Sequence, residues 1–203
     1  AEVGPDGAVW IADWYNFIIQ HNVFVPAQSP AEFIIPFKEQ PHGPGNAFSS
    51  PMRDLNHGRV YRVIYKNGKT VPALKLSKDD LPGLVAALGN DNMFWRMTAQ
   101  RLIVESKKLS VVPDLYKIIA NQKVDEIGLN SPAVHALWTL HGLGVLDGSN
   151  TEALAEVNKA LSHPAAGVRK AAASVLPKNG QSFGALRNSM NDPDLNTRLA
   201  VFV

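Results

Sequence analysis

Three stretches of the chain carry the same short pattern, and that repeat limits the fold more than any other feature. A leucine or methionine is followed eight positions later by an arginine, without gaps: Leu88 and Arg96, Leu161 and Arg169, Met190 and Arg198. Turn residues lie between them (Asn90-Asp91, His163-Pro164, Asp192-Pro193), and small or apolar residues follow each arginine (Thr98-Ala99, Ala171-Ala172, Ala200-Val201). Self-similarity of this kind marks one supersecondary unit used repeatedly. The unit reads as the end of one helix, a turn, and the start of the next. A fourth copy is read with His135 in the arginine position, which gives successive spacings of 39, 34 and 29 residues.

From about Lys78 onward apolar residues recur at helical spacing between breaks of Gly, Pro, Asn and Asp. The spacing predicts helices over 79–88, 92–105, 111–121, 132–143, 151–161, 166–176, 181–190 and 194–203. Paired in order they make about four hairpins. One hairpin cannot bury its apolar stripe alone, so neighbours must stack and share a continuous core. The expectation is a mainly α fold, a HEAT-like α-helical solenoid over 79–203. Its last hairpin carries an apolar edge without a polar cap at Val203, so the chain is expected to be a piece of a longer one.

Residues 1–70 differ. They hold most of the aromatics and many of the prolines and glycines, the composition of strands joined by irregular loops. Gly4-Pro5-Asp6-Gly7 signals a tight turn, because proline fixes φ and glycine accepts a positive one. A strand is expected from Ala8 to about Asp13, and a second over Gly58–Tyr65, closed by Lys66-Asn67-Gly68-Lys69. In the second, Tyr61, Val63 and Tyr65 share one face and Val60, Arg62 and Ile64 the other, which puts Arg62 at a sheet edge or against a partner. The stretch between them, with Pro41-His42-Gly43-Pro44-Gly45, is long for a loop and hints at function or mobility.

The run from Val3 through Gly4-Pro5-Asp6-Gly7-Ala8-Val9-Trp10-Ile11-Ala12-Asp13 to Trp14-Tyr15-Asn16 resembles a late propeller blade of bacterial membrane-bound dehydrogenase-type proteins, as does Arg53-Asp54-Leu55-Asn56-His57-Gly58-Arg59-Val60-Tyr61-Arg62. These are the sorbosone and glucose dehydrogenase-like propellers, in which HEAT repeats often follow the propeller and a cytochrome c domain with Cys-x-x-Cys-His comes after. The resemblance implies that residues 1–70 are part of a β-propeller blade with its loops. It implies a periplasmic or secreted parent acting on sugars or alcohols, with a quinone in its propeller or haem c downstream. The expected role of this chain is a non-catalytic interaction and spacer segment of that parent. The alternative is an autonomous HEAT-type protein-binding module.

Composition narrows the chemistry further. The chain has no cysteine, which removes disulfides, zinc thiolates, thiol nucleophiles and covalent haem attachment, so no cofactor is expected within it. The formal charge is only +2 and is scattered, which argues against nucleic acid as a partner. No apolar run approaches the roughly 20 residues that span a bilayer. Glycine-rich phosphate loops, Gly-x-Ser-x-Gly elbows and His-Glu-x-x-His motifs are missing too. No residue is assigned catalysis or a metal. Expected partners are neighbouring domains of the parent or another protein, and an exposed blade edge with an uncapped last hairpin also invites self-association.

Two groups remain as candidate ligand-binding residues. Asp13, Tyr15 and Asn16 follow the first strand, where a blade presents polar groups to the channel; such residues also commonly bond the next turn's backbone. His57, Arg59 and Arg62 surround the second strand, where arginines can fork onto a carboxylate or simply pair with a neighbouring acid such as Asp54. His21, His42, His135 and His141 lack metal-ligand spacing. Arg96, Arg169 and Arg198 form a repeat ladder with two readings: a basic stripe for an acidic partner, or side chains that reach back to cap carbonyls or an adjacent acid, with Asp91, Asp192 and Asp194 in range.

Overall fold

The computed structural model describes residues 1–13, 56–68 and 72–202. Tyr15, Asn16, His21, His42, Asp54 and the long Pro/Gly-rich stretch lie outside them. Among the described residues the chain is mainly helical, with eight α-helices and one three-stranded sheet. It divides into two compact units, Ala1–Thr70 and Val71–Val203.

The first unit contains the sheet. Strands β1 (Glu2–Val3), β2 (Val9–Asp13) and β3 (Arg59–Val63) are antiparallel in the order β1-β2-β3. The expected turn joins β1 to β2, with Gly7 N donating to Gly4 O at 3.0 Å and Gly4 N to Ala8 O at 2.9 Å. Gly7 has φ of 78°, a conformation in which a side chain is strained. Gly4 serves a different need: a Cβ there would lie 2.3 Å from the Trp10 indole, so only glycine lets that ring pack down. Both strands read from the sequence are present at their places, and β1 is an addition too short for periodicity to reveal. Every residue of β3 is exposed.

The second unit is helical. Helix α1 spans Leu81–Ala87, α2 Met93–Ser106, α3 Val112–Ala120 and α4 Ser131–Gly142. Helices α5 (Thr151–Ala160), α6 (Ala166–Val175), α7 (Gly180–Ser189) and α8 (Leu195–Phe202) follow. Their starts are written in short polar side chains. Asp80, Asn92, Asn130, Asn150 and Asn179 each accept a backbone N–H from the first turn of the helix they open, groups the helix cannot satisfy itself. Asp194 does the same for α8, taking Thr197 N at 2.7 Å. Pro82, Pro113 and Pro132 occupy first-turn positions where a missing N–H costs nothing.

Consecutive helices pair, α1 with α2, α3 with α4, α5 with α6 and α7 with α8. The pairs stack in two rows. In one, α2 packs on α4, α4 on α6 and α6 on α8; in the other, α3 packs on α5 and α5 on α7. Small residues permit close approach in the first row. A Cβ on Gly142 would lie 2.7 Å from Val104 Cγ2 across the α2–α4 contact, and Ala99, Ala133, Ala136, Ala171, Ala172 and Ala200 are buried. One continuous apolar core runs from Leu84 to Ala200. No helix among the described residues is long and apolar enough to cross a membrane.

Leu137, on the central helix α4, has no exposed surface. Removing most of its side chain deletes apolar contacts and leaves a cavity that a tightly packed core refills poorly. Leu137→Ala is expected to cost about 3 kcal/mol in urea unfolding. A loss below about 1 kcal/mol would mean that α4 is not central to the core.

Candidate functional site

The repeated arginines occupy one structural position. Arg96, Arg169 and Arg198 are each the fourth residue of their helix, in α2, α6 and α8. Side chains on a helix lean toward its N-terminus, so a long one at this position runs back to the preceding turn. Arg96 Nη1 donates to the carbonyls of Asn90 and Asp91 at 2.7 and 2.8 Å. Arg169 Nη1 repeats this on His163 and Pro164, at 2.9 and 3.0 Å. These carbonyls lie past the end of a helix and have no partner within it.

Arg169 also reaches the next turn. Its Nε donates to Asp192 Oδ2 at 2.7 Å and its Nη2 to Asp192 Oδ1 at 2.9 Å, a forked pair with side chains only 13% and 6% exposed. The hydrogen bond from Arg169 holds the Asp192 carboxyl below the usual range against the opposing effect of burial, and the charge of Arg198 helps. The bond to Asp192 raises Arg169 in turn, against its own burial. Asp192 Oδ1 also accepts Asp194 N at 2.8 Å, which fixes the carboxylate in its turn.

The fourth copy departs from the sequence reading. The fourth residue of α4 is Val134, and His135 is the fifth, so His135 does not occupy the arginine position. It turns inward instead, 9% exposed, with Nδ1 2.7 Å from Gln100 Oε1. A valine cannot hold carbonyls, and another device does so. Asn130 Nδ2 donates to the carbonyls of Asn121 and Lys123 at 2.7 and 2.9 Å, while its Oδ1 caps α4 through Ala133 N. His163, 1% exposed, adds a link from the following turn. Its Nδ1 accepts Ala165 N at 2.9 Å, which assigns the hydrogen to Nε2, and Nε2 donates to Asn121 O at 3.0 Å. The sequence presents Asn130 as an ordinary cap and His163 as an ordinary turn residue, so neither link was read from it.

In the strand unit the register separates the candidate arginines. Asp13 stands opposite Arg59, and Arg62 opposite Trp10. Residues 59 and 62 therefore point to opposite faces. Arg59 Nη1 donates to Tyr61 Oη at 3.1 Å, while Arg62 lies over the Trp10 ring at 6.0 Å and its Nε donates to Asp6 Oδ2. Asp6 also accepts the Ala8 N–H and the Trp10 indole N–H. Burial acts to raise its carboxyl, but these hydrogen bonds and the Arg62 charge prevail and hold it at about 2. Arg62 is thus paired with an acid, Asp6 of the β1–β2 turn, while Asp54 lies outside the described residues. His57 precedes β3 and is exposed. No three His, Asp or Glu side chains converge as a metal site among the described residues.

Residues 1–67 match the model of a family described as a domain of unknown function, DUF7133. No curated protein and no solved structure matches the chain. The match covers the strand unit and stops short of the helices.

Burial, assisted by the nearby charge of Arg96, lowers the pKa of His135 to about 4. The unfolded chain therefore binds a proton near pH 6.5 that the folded one refuses until about 4, so stability falls as pH drops through that window and levels off below it. Solvent screening discounts the full shift, leaving on the order of 2 kcal/mol. Urea unfolding at pH 7 and pH 4 should show this extra loss relative to His135→Gln. Parallel losses in the two proteins would contradict a buried neutral imidazole.

Proposed function

We propose that Val71–Val203 is a HEAT-like α-solenoid that serves as a non-catalytic interaction and spacer segment. The parent on this reading is an exported, dehydrogenase-like protein acting on sugars or alcohols, to which residues 1–70 contribute part of a propeller blade. The observation that carries the solenoid reading is the two-row stacking of four hairpins over one continuous core, with side chains that tie one turn to the next, and the parent rests on the sequence resemblance of residues 3–16 and 53–62. Such stacks expose long surfaces suited to polypeptides. Apolar side chains lie open on several of the helices: Met93 and Met97 on α2, Trp138 on α4, and Leu195 and Leu199 on α8. The chain offers no thiol for attaching haem, which fits a segment that supports redox chemistry carried out elsewhere.

A second reading, an autonomous binding module, is favoured by the location of the core. The continuous cluster lies wholly within residues 84–200, so the helical unit has apolar burial of its own. Both readings forbid catalysis by the chain itself. The purified protein, mixed with glucose or sorbosone and an artificial electron acceptor, is expected to give no dye reduction above a protein-free blank. Steady turnover proportional to protein concentration would overturn both.

A further inference from the structure

Among the described residues, largely buried side chains bridge the turns of the helical unit one to the next, with one exception. His163 bridges the third turn to the second, and the Arg169–Asp192 fork bridges the third to the fourth. At the first, Arg96 spends Nη1 on its own turn, and its buried Nε finds no acceptor among the described residues. The equivalent edge of Arg169, Nε with Nη2, is the one that Asp192 fills. Beside Arg96 an open cleft of about 470 Å³ separates the first turn from the 121–130 loop, within the range of ligand clefts. Asn90, Asp91 and Arg96 line one side, and Lys123, Val124 and Leu129 are on the other.

We infer that Arg96 and this cleft form a seat for the carboxylate of an Asp or Glu side chain on a partner polypeptide, which completes the arginine as Asp192 completes Arg169. The template is intramolecular and made by the same residue type at the same helical position. Charge in the cleft fits a single carboxylate better than a phosphate dianion, because Arg96 and Lys123 are offset by Asp91 and Asp125. The Asp125 carboxylate is engaged by the N–H groups of Ile127 and Leu129. Val124 and Leu129 are 44% and 45% exposed on the rim, which suits apolar residues beside the acid. The choice of a polypeptide rests on the interaction-surface reading above; the carboxylate seat itself does not.

The test is a titration of the intact chain, labelled with ¹⁵N-arginine, that follows the side-chain Nε–H resonances. The probes are blocked aspartate, blocked asparagine, and a blocked pentapeptide with a central aspartate flanked by leucines. Blocked aspartate should shift the Arg96 resonance saturably at about 10 mM, and the peptide should do so at roughly tenfold lower concentration. Arg169, already filled, should stay still, and asparagine should move neither. Asp192→Ala should make Arg169 respond as well, provided circular dichroism shows the variant folded; the titration of the unmutated chain decides the matter by itself. An unmoved Arg96, or equal movement of Arg96 and Arg169, would overturn the seat. A response to blocked aspartate that the peptide does not tighten would overturn the polypeptide partner and count against the interaction reading.

Discussion

A turn between antiparallel helices leaves carbonyl oxygens pointing away from any helical donor, and the stack of helical hairpins depends on how those oxygens are met. An arginine one turn into the next helix is suited to this. Its stem follows the helix back toward the N-terminus, and its planar head carries donors for two adjacent carbonyls and still has an edge to spare. Arg96 and Arg169 both use Nη1 for their own turns. At Arg169 the spare edge takes Asp192, and one side chain then fixes both a turn and the spacing between turns. Apolar burial supplies the driving force for stacking but has no direction. The polar links supply the register.

Much of this was legible in the sequence because the repeat needs no gaps around its arginines. The eight-residue step from apolar anchor to arginine fixes a helix end, a turn and a helix start, and Asp192 could be named as a partner from its place in the next turn. The second turn escaped for a physical reason. Its connection runs from Asn121 to Asn130, longer than the others, so a side chain aligned by spacing falls one residue off. His135 then faces the core, and the bonding work passes to Asn130 and His163, whose residue types announce only a cap and a turn.

The strand unit shows the opposite balance. Its turn and both longer strands follow from Gly-Pro-Asp-Gly and from β-branched residues, while the surroundings of the candidates Arg59 and Arg62 depend on the pleat. Neighbours in sequence at 59 and 62 lie on opposite faces, and Arg62 is committed to Asp6 and Trp10. That partner lies 56 residues earlier in the chain, a pairing that only strand register reveals. Residues 1–67 and the helices differ in what they share with known proteins as well, since the family match ends with the strands.

The central claim is that polar links between turns set the order of the helical stack, and the Arg169–Asp192 fork is its strongest instance. A double-mutant cycle of Arg169→Ala and Asp192→Ala, read by urea unfolding at pH 7, isolates that link from what each side chain does alone. The account predicts a coupling of about 2–3 kcal/mol, because truncating either partner strands the other in a shielded site. Additive losses, with coupling near zero, would contradict it and leave apolar packing as the only source of register.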